Sequence, residues 1–243
     1  MKLKAGILII GSLLWDPDQS DKINYRRNWR RKNLFIKQRI HIKIPIRYGR
    51  LSGNRENRNY TMVFSKDCES KNELGKAYVV PLKNKFIRSL RGIEYQARIL
   101  SKAEGCNDDK LCKGTNDKWC TIGLLFNPKM EAKTKNNILE YWQKILRNDG
   151  GLIDYNNYCV IGEESVLSEC GEINLNWISS VKSNYQKRID RFDFLFATCT
   201  KPKPQNSHPK LSELKEKALN DERKYFYNNF KRGITTFQDY DIK

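Results

Sequence analysis

The run Gly6-Ile7-Leu8-Ile9-Ile10 has no polar side chain at any position and breaks at once into Gly11-Ser12-Leu13. A strand with one wet face would alternate polar and apolar residues. An unbroken run instead predicts a strand covered on both faces, at the centre of a layered structure. The preceding Met1-Lys2-Leu3-Lys4, with the apolar stretch from Ala5 to Trp15, resembles the basic and apolar regions of a secretory leader. No small-x-small cleavage pattern follows, because the next residues are Asp16-Pro17-Asp18. The stretch is also too short to span a bilayer. The expectation is a cytoplasmic protein that does not contact membrane.

Partners for this strand are readable downstream. Ile40, Ile42, Ile44 and Ile46 alternate with Arg39, His41, Lys43 and Pro45, which predicts a strand over 37–46 with one apolar face. Tyr60–Ser65, Gly75–Pro81, Trp119–Asn127, Tyr158–Ile161 and Phe192–Cys199 are further strand-like runs, and Ile173–Ser179 is another candidate. Helices are expected over 84–103 and 136–146, the latter from the spacing of Ile138, Leu139, Trp142, Ile145 and Leu146. Gly150-Gly151 punctuates the chain after it. A last helix is expected to run unbroken from Pro209 to Arg232, stopped by Gly233. Strands early and helices late give an α+β or closed-barrel class. The division expected is one domain over 1–200, with an inserted helix near 136–147, and a helical extension over 201–243.

Seven cysteines stand at 68, 106, 112, 120, 159, 170 and 199, with no CxxC pair and only two histidines, His41 and His208. Cys106, Cys112 and Cys120 are the nearest approach to a zinc cluster, and their spacing fits no common knuckle. Reduced thiols are the expectation.

Charge is uneven. The formal net charge is +18, and between Lys22 and Arg58 thirteen Lys and Arg face one acid, Glu56. Such a stretch attracts nucleic acid, nucleotides, anionic membrane or acidic metabolites, or else is a solvated face. Within it, Tyr25 and Trp29 stand four residues apart among Arg26, Arg27, Arg30 and Arg31. That spacing suits either base stacking with phosphate neutralisation, or a helix that packs its aromatics and leaves its arginines in water.

Two places can carry chemistry. In the turn Gly11-Ser12-Leu13, exposed main-chain amides can hold a carboxylate. Glu104 sits before Gly105 at an expected helix end, where apolar surroundings would raise its pKa and suit it to proton transfer. Glu94, ten residues earlier, is the alternative carboxylate.

In this order, the segments resemble a known family. ILIIGSLLWDPD resembles the FGYGSLIWxP opening of the ChaC-like gamma-glutamylcyclotransferases, and LSKAEG resembles the Leu-Asp-x-x-Glu-Gly segment that bears their catalytic glutamate. Tyr48-Gly49-Arg50-Leu51 and Gly75–Val80 are similar to strands lying between them in that family. The resemblance covers residues 5–127. It implies a mixed β-barrel with flanking helices, here followed by the C-terminal helical extension, and no metal or cofactor. It implies a loop of Gly11, Ser12 and Leu13 that binds the substrate's α-carboxylate. It also implies Glu104 as general acid/base in release of 5-oxoproline from a gamma-glutamyl amine or peptide. Two positions differ from the family: its tyrosine before Gly-Ser-Leu is Ile10, and its Asp is Ser101. Arg47, Tyr48 and Arg50 are expected near the pocket mouth, where they would favour a more anionic ligand. The second reading is a non-catalytic barrel binding a nucleotide or nucleic acid through residues 22–58.

Overall fold

A computed structural model of the chain describes residues 1–16, 25–53, 58–106, 110–111, 119–222 and 224–242. Lys22 to Asn24, residues 54–57 of the basic stretch, and Cys112 lie outside them.

The fully apolar run forms β1 (Ala5–Ile9), and all five of its residues are buried. It is followed by a 3-10 turn at Ser12–Leu14 and by α1 (Tyr25–Asn33). The alternating isoleucines give β2 (Ile40–Ile44) and enter β3 (Ile46–Ser52), with all four side chains buried as the period-2 pattern requires. Next come β4 (Asn59–Phe64), α2 (Lys66–Ser70), β5 (Gly75–Pro81), α3 (Leu90–Glu104), β6 (Cys120–Phe126) and α4 (Ala132–Asp149). The remaining elements are β7 (Ser179–Ser180), α5 (Gln186–Ile189), β8 (Phe194–Thr200), α6 (Leu211–Leu219), α7 (Tyr225–Lys231) and α8 (Asp239–Ile242).

The architecture is a mixed α+β sheet with flanking helices. Six strands are ordered β6-β8-β1-β5-β2-β7, with β1 parallel to β8 and the other pairs antiparallel. β1 sits inside this sheet, as its unbroken apolar pattern demands. β3 and β4 form a separate antiparallel hairpin. It lies against β8 and meets the chain beyond it through one bridge, Arg50 to Lys203. The expected closed barrel is therefore not found among the described residues. The ladder ends at β6 and β7, and a single bridge does not continue it.

α3 explains its own limits. Ile87 pairs with Leu3, which keeps the chain extended to Ser89, whose side chain then caps the helix at Gly92 N–H. The helix thus starts at Leu90 and not at 84. Ile93, Ala97 and Leu100 recur on one buried face, and the helix packs on β6 and β8 while α1 and α4 pack on it. It ends because Gly105 adopts φ 75°, a left-handed geometry that suits glycine. Glu104 is its last residue.

Other expectations need correction. Tyr155–Tyr158 is a 3-10 turn, and Ile161 stands 76% exposed, so no strand forms over 158–161. Of Ile173–Ser179, only Ser179 joins a strand. The single C-terminal helix is two, because the chain breaks at Asn220–Lys224. There the Asp221 carboxylate accepts from Phe226 N–H at 2.8 Å and caps α7. Cys106 and Cys120 form a disulfide with their Cα atoms 5.7 Å apart, so the expectation of reduced thiols fails at this pair. Among the described residues no group of His, Cys, Asp and Glu could hold a metal, and no helix is long and apolar enough to cross a membrane.

Candidate functional site

The chain leaves β1 in the middle of the sheet and turns through Gly11-Ser12-Leu13. Leu13 is buried and anchors the turn, and Leu14 and Trp15 N–H close it onto the Gly11 and Ser12 carbonyls. The Ser12 and Leu13 amides donate to no described residue. Gly11 is extended, with φ −168°, so its lack of a side chain is a matter of space. A Cβ there would lie 2.9 Å from the Tyr225 hydroxyl.

α1 fixes this turn. Arg26 and Arg30, one helical turn apart, point inward with Trp29. Arg30 is 9% exposed and donates through Nη1 to the carbonyls of Leu13 (2.7 Å) and Asp16 (2.8 Å). The Arg26 side chain is 12% exposed and donates to the carbonyls of Ala103 (2.9 Å) and Glu104 (3.3 Å) at the C-terminus of α3. Those carbonyls have no partner within the helix, and a cation suits that end of it. Arg26 also pairs with Asp16 at 3.3 Å and with the Glu104 carboxylate at 3.8 Å. These two arginines are brackets inside the protein, contrary to the reading that left them in water or on phosphate.

The bracket brings Glu104 and the turn to one cavity of about 430 Å³, lined by Gly11, Ser12, Leu13 and Glu104 among others. The Glu104 side chain is 14% exposed. Loss of solvent raises its pKa above the ordinary carboxylate value. Arg26 opposes this most, followed by the Thr198 hydroxyl and Arg30, whereas Asp16 adds to the rise. Thr198 Oγ1 lies beside the carboxyl at the edge of hydrogen-bonding geometry. The C-terminal segment also lines the cavity, through Asn220–Glu222 and Tyr225. Among the described residues, the charged ones on the lining are Asp16, Glu104, Asp221 and Glu222 with Arg26 and Arg58.

Arg47, Tyr48 and Arg50 do not line this cavity. Period 2 turns Tyr48 into the core, where its hydroxyl donates to Asp239 Oδ1 at 2.9 Å and its ring packs on Phe226. Arg47 pairs with Asp67 at 3.4 Å, and Arg50 donates to the Lys201 carbonyl at 3.0 Å while lying over Trp119. Glu94, the alternative carboxylate, is held by Arg98 at 2.9 Å and accepts from Tyr141 Oη at 2.7 Å. It is absent from the lining too.

The sequence reading missed Arg26, Arg30, Thr198 and Tyr225. The Trp29 flanked by arginines at helical spacing was a signal for an inward face. Nothing local marked Thr198 or Tyr225. Comparison with protein-family models, with curated proteins and with solved structures finds no match to this chain.

Proposed function

We propose that this chain is a gamma-glutamylcyclotransferase-like enzyme that releases 5-oxoproline from a gamma-glutamyl amine or peptide. Its α+β sheet would be a variant of that family's mixed barrel. The observation that carries the reading is the meeting of Glu104 with Gly11-Ser12-Leu13 in one cavity. The turn would seat the α-carboxylate on its unpaired amides. The substrate's α-ammonium first gives one proton to solvent, and the neutral α-amine then attacks its own side-chain amide carbon, forming the ring C–N bond. Glu104 takes the proton that this nitrogen loses and delivers it to the departing amine as the old C–N bond breaks, so atoms and charge balance. A carboxyl raised by burial and restrained by Arg26 suits a group that must accept and return a proton.

The acidic residues among the described lining suit the α-ammonium that a gamma-glutamyl substrate carries on arrival. Arg26, Arg30, Arg47 and Arg50 from the basic stretch are all engaged with protein groups, which favours the enzyme over the nucleic-acid reading.

The test is release of 5-oxoproline from a panel of gamma-glutamyl amines and dipeptides by the purified chain. Turnover of at least one member by the wild type, lost in Glu104→Gln, is expected. No release above buffer from any member would sink the reading.

A further inference from the structure

The cavity holds two buried hydroxyls without a completed hydrogen bond of their own to give. One is Thr198 Oγ1, in a residue 8% exposed, beside Glu104. The other belongs to Tyr225, 9% exposed, which lines the cavity from the C-terminal segment. Tyr225 Oη accepts a long hydrogen bond, 3.5 Å from Met62 N–H, and the Asn229 side chain lies beside it, but it donates to no described residue. Buried polar groups are nearly always paired, so orphans facing a cavity point to a partner that arrives with a ligand.

Its placement narrows what that partner is. Tyr225 is the first residue of α7, and its ring packs against Trp15 with centroids 6.1 Å apart. The hydroxyl stands 2.9 Å from where a Gly11 Cβ would be. Ile10, the residue before Gly11, has no polar atom. The phenol is thus a side-chain donor set beside the turn, and it comes from the other end of the chain. Burial drives its pKa up, and Glu104 adds to the rise, so it stays protonated and able to donate.

We propose that Tyr225 is a substrate-contacting residue whose O–H donates to the carboxylate oxygen seated on the Gly11–Leu13 turn. This rests on the reading of the turn as a carboxylate site. It makes the C-terminal segment part of the pocket, not an addition docked outside it. It also states the ligand class: the group at the turn is a planar oxyanion that accepts from the phenol.

The experiment uses the full chain and two probes, 5-oxoproline and 2-pyrrolidinone, the same lactam without its carboxylate. Tyr225→Phe keeps the ring and its packing, and its thermal midpoint checks that the fold is retained. The expected result is binding of 5-oxoproline by the wild type, roughly tenfold to a hundredfold weaker in Tyr225→Phe, as for loss of one donor to a charged group. 2-Pyrrolidinone should bind more weakly than 5-oxoproline and lose nothing further in the variant. A ligand-free check is Gly11→Ala, which should lower the thermal midpoint in the wild type and much less in the Tyr225→Phe background, where the obstructing oxygen is gone.

Equal affinity of wild type and Tyr225→Phe for 5-oxoproline overturns this inference and leaves the proposed activity standing. An equal effect of Gly11→Ala in both backgrounds also overturns it, since the contact would be absent. Failure of the wild type both to bind 5-oxoproline and to release it from the gamma-glutamyl panel removes the carboxylate site, and the inference with it.

Discussion

The cavity has two walls, and they are held by different forces. The N-terminal wall is a polar clamp, in which Arg30 grips the turn, Arg26 grips the end of α3, and both reach main-chain carbonyls. The C-terminal wall relies more on packing, with Tyr225 against Trp15 and Phe226, alongside side-chain bonds such as Trp15 Nε1 to Asn229 Oδ1 at 2.8 Å. A charged, multidentate clamp fixes atoms to a fraction of an ångström but tolerates little substitution. An aromatic wall tolerates drift so long as area and shape are kept. Proton transfer needs the first kind of precision, and recognition of a ligand's outer parts can live with the second. The proposed chemistry accordingly sits on the clamped wall.

Four substitutions bear on this contrast most directly. Glu104→Gln should lower turnover about 10²–10⁴-fold, the usual weight of a general acid/base. It should do so without loss of stability at neutral pH. The Glu104 pKa is raised in the folded state, so its favourable contribution is full below the unfolded carboxylate's pKa and is lost as pH rises through the raised value. Wild type therefore carries a penalty at neutral pH that glutamine lacks. In chemical denaturation the variant should match or exceed wild type near pH 7, and the gap should narrow on acidification. A variant less stable than wild type at pH 7 would mean that the carboxylate holds the wall together.

Arg30→Met should cost about 3 kcal/mol in urea denaturation, because two inward carbonyls lose a charged donor. Arg47→Met, which gives up one pair with a partly exposed Asp67, should cost under about 1 kcal/mol. Equal losses would erase the distinction between clamp and surface pair. Between these two falls Trp15→Phe, at about 1–2 kcal/mol for the lost bond to the fully buried Asn229. Its effect should appear mainly as weaker 5-oxoproline binding, since it loosens only the aromatic wall.

The difference between the walls is also a difference in legibility. β1, β2 and β5 were readable because burial imposes its period on consecutive side chains, and Gly6–Ile10 or Ile40–Ile46 report it directly. Glu104 was readable because a carboxylate before a helix-stopping glycine is a local pattern. Arg26 and Arg30 were not, because their inward turn depends on free carbonyls at Leu13 and Ala103 that other segments supply. Charge counting treats such residues as surface. Tyr225 was less legible again, since its role exists only once α7 folds across the β1 turn. The break before it was in principle visible, as Asn220-Asp221 is a capping signal inside an otherwise helical stretch. The open sheet was hidden for another reason: closing a ladder depends on pairing between distant strands, which no local pattern specifies.

The smallest expected effect falls where the clamp meets the chemistry. Among the groups around Glu104, Arg26 is the largest influence opposing burial, yet its 3.8 Å separation from the carboxylate is long for an ion pair. Its closer contact is with the Ala103 carbonyl. The two roles separate by substitution. Arg26→Met removes both charge and fork, so the Glu104 carboxyl should rise further, and the limb of kcat/KM on which it loses its proton should move to higher pH. Arg26→Lys keeps a charge but not the planar fork, so it should weaken the grip on α3 while leaving that limb close to wild type. If methionine leaves the limb in place, Arg26 acts through the backbone alone, and the proton-transfer properties of Glu104 are set by burial. If lysine and methionine shift it equally, the orientation of the fork tunes the carboxyl, and positioning and proton affinity are not separable on this wall.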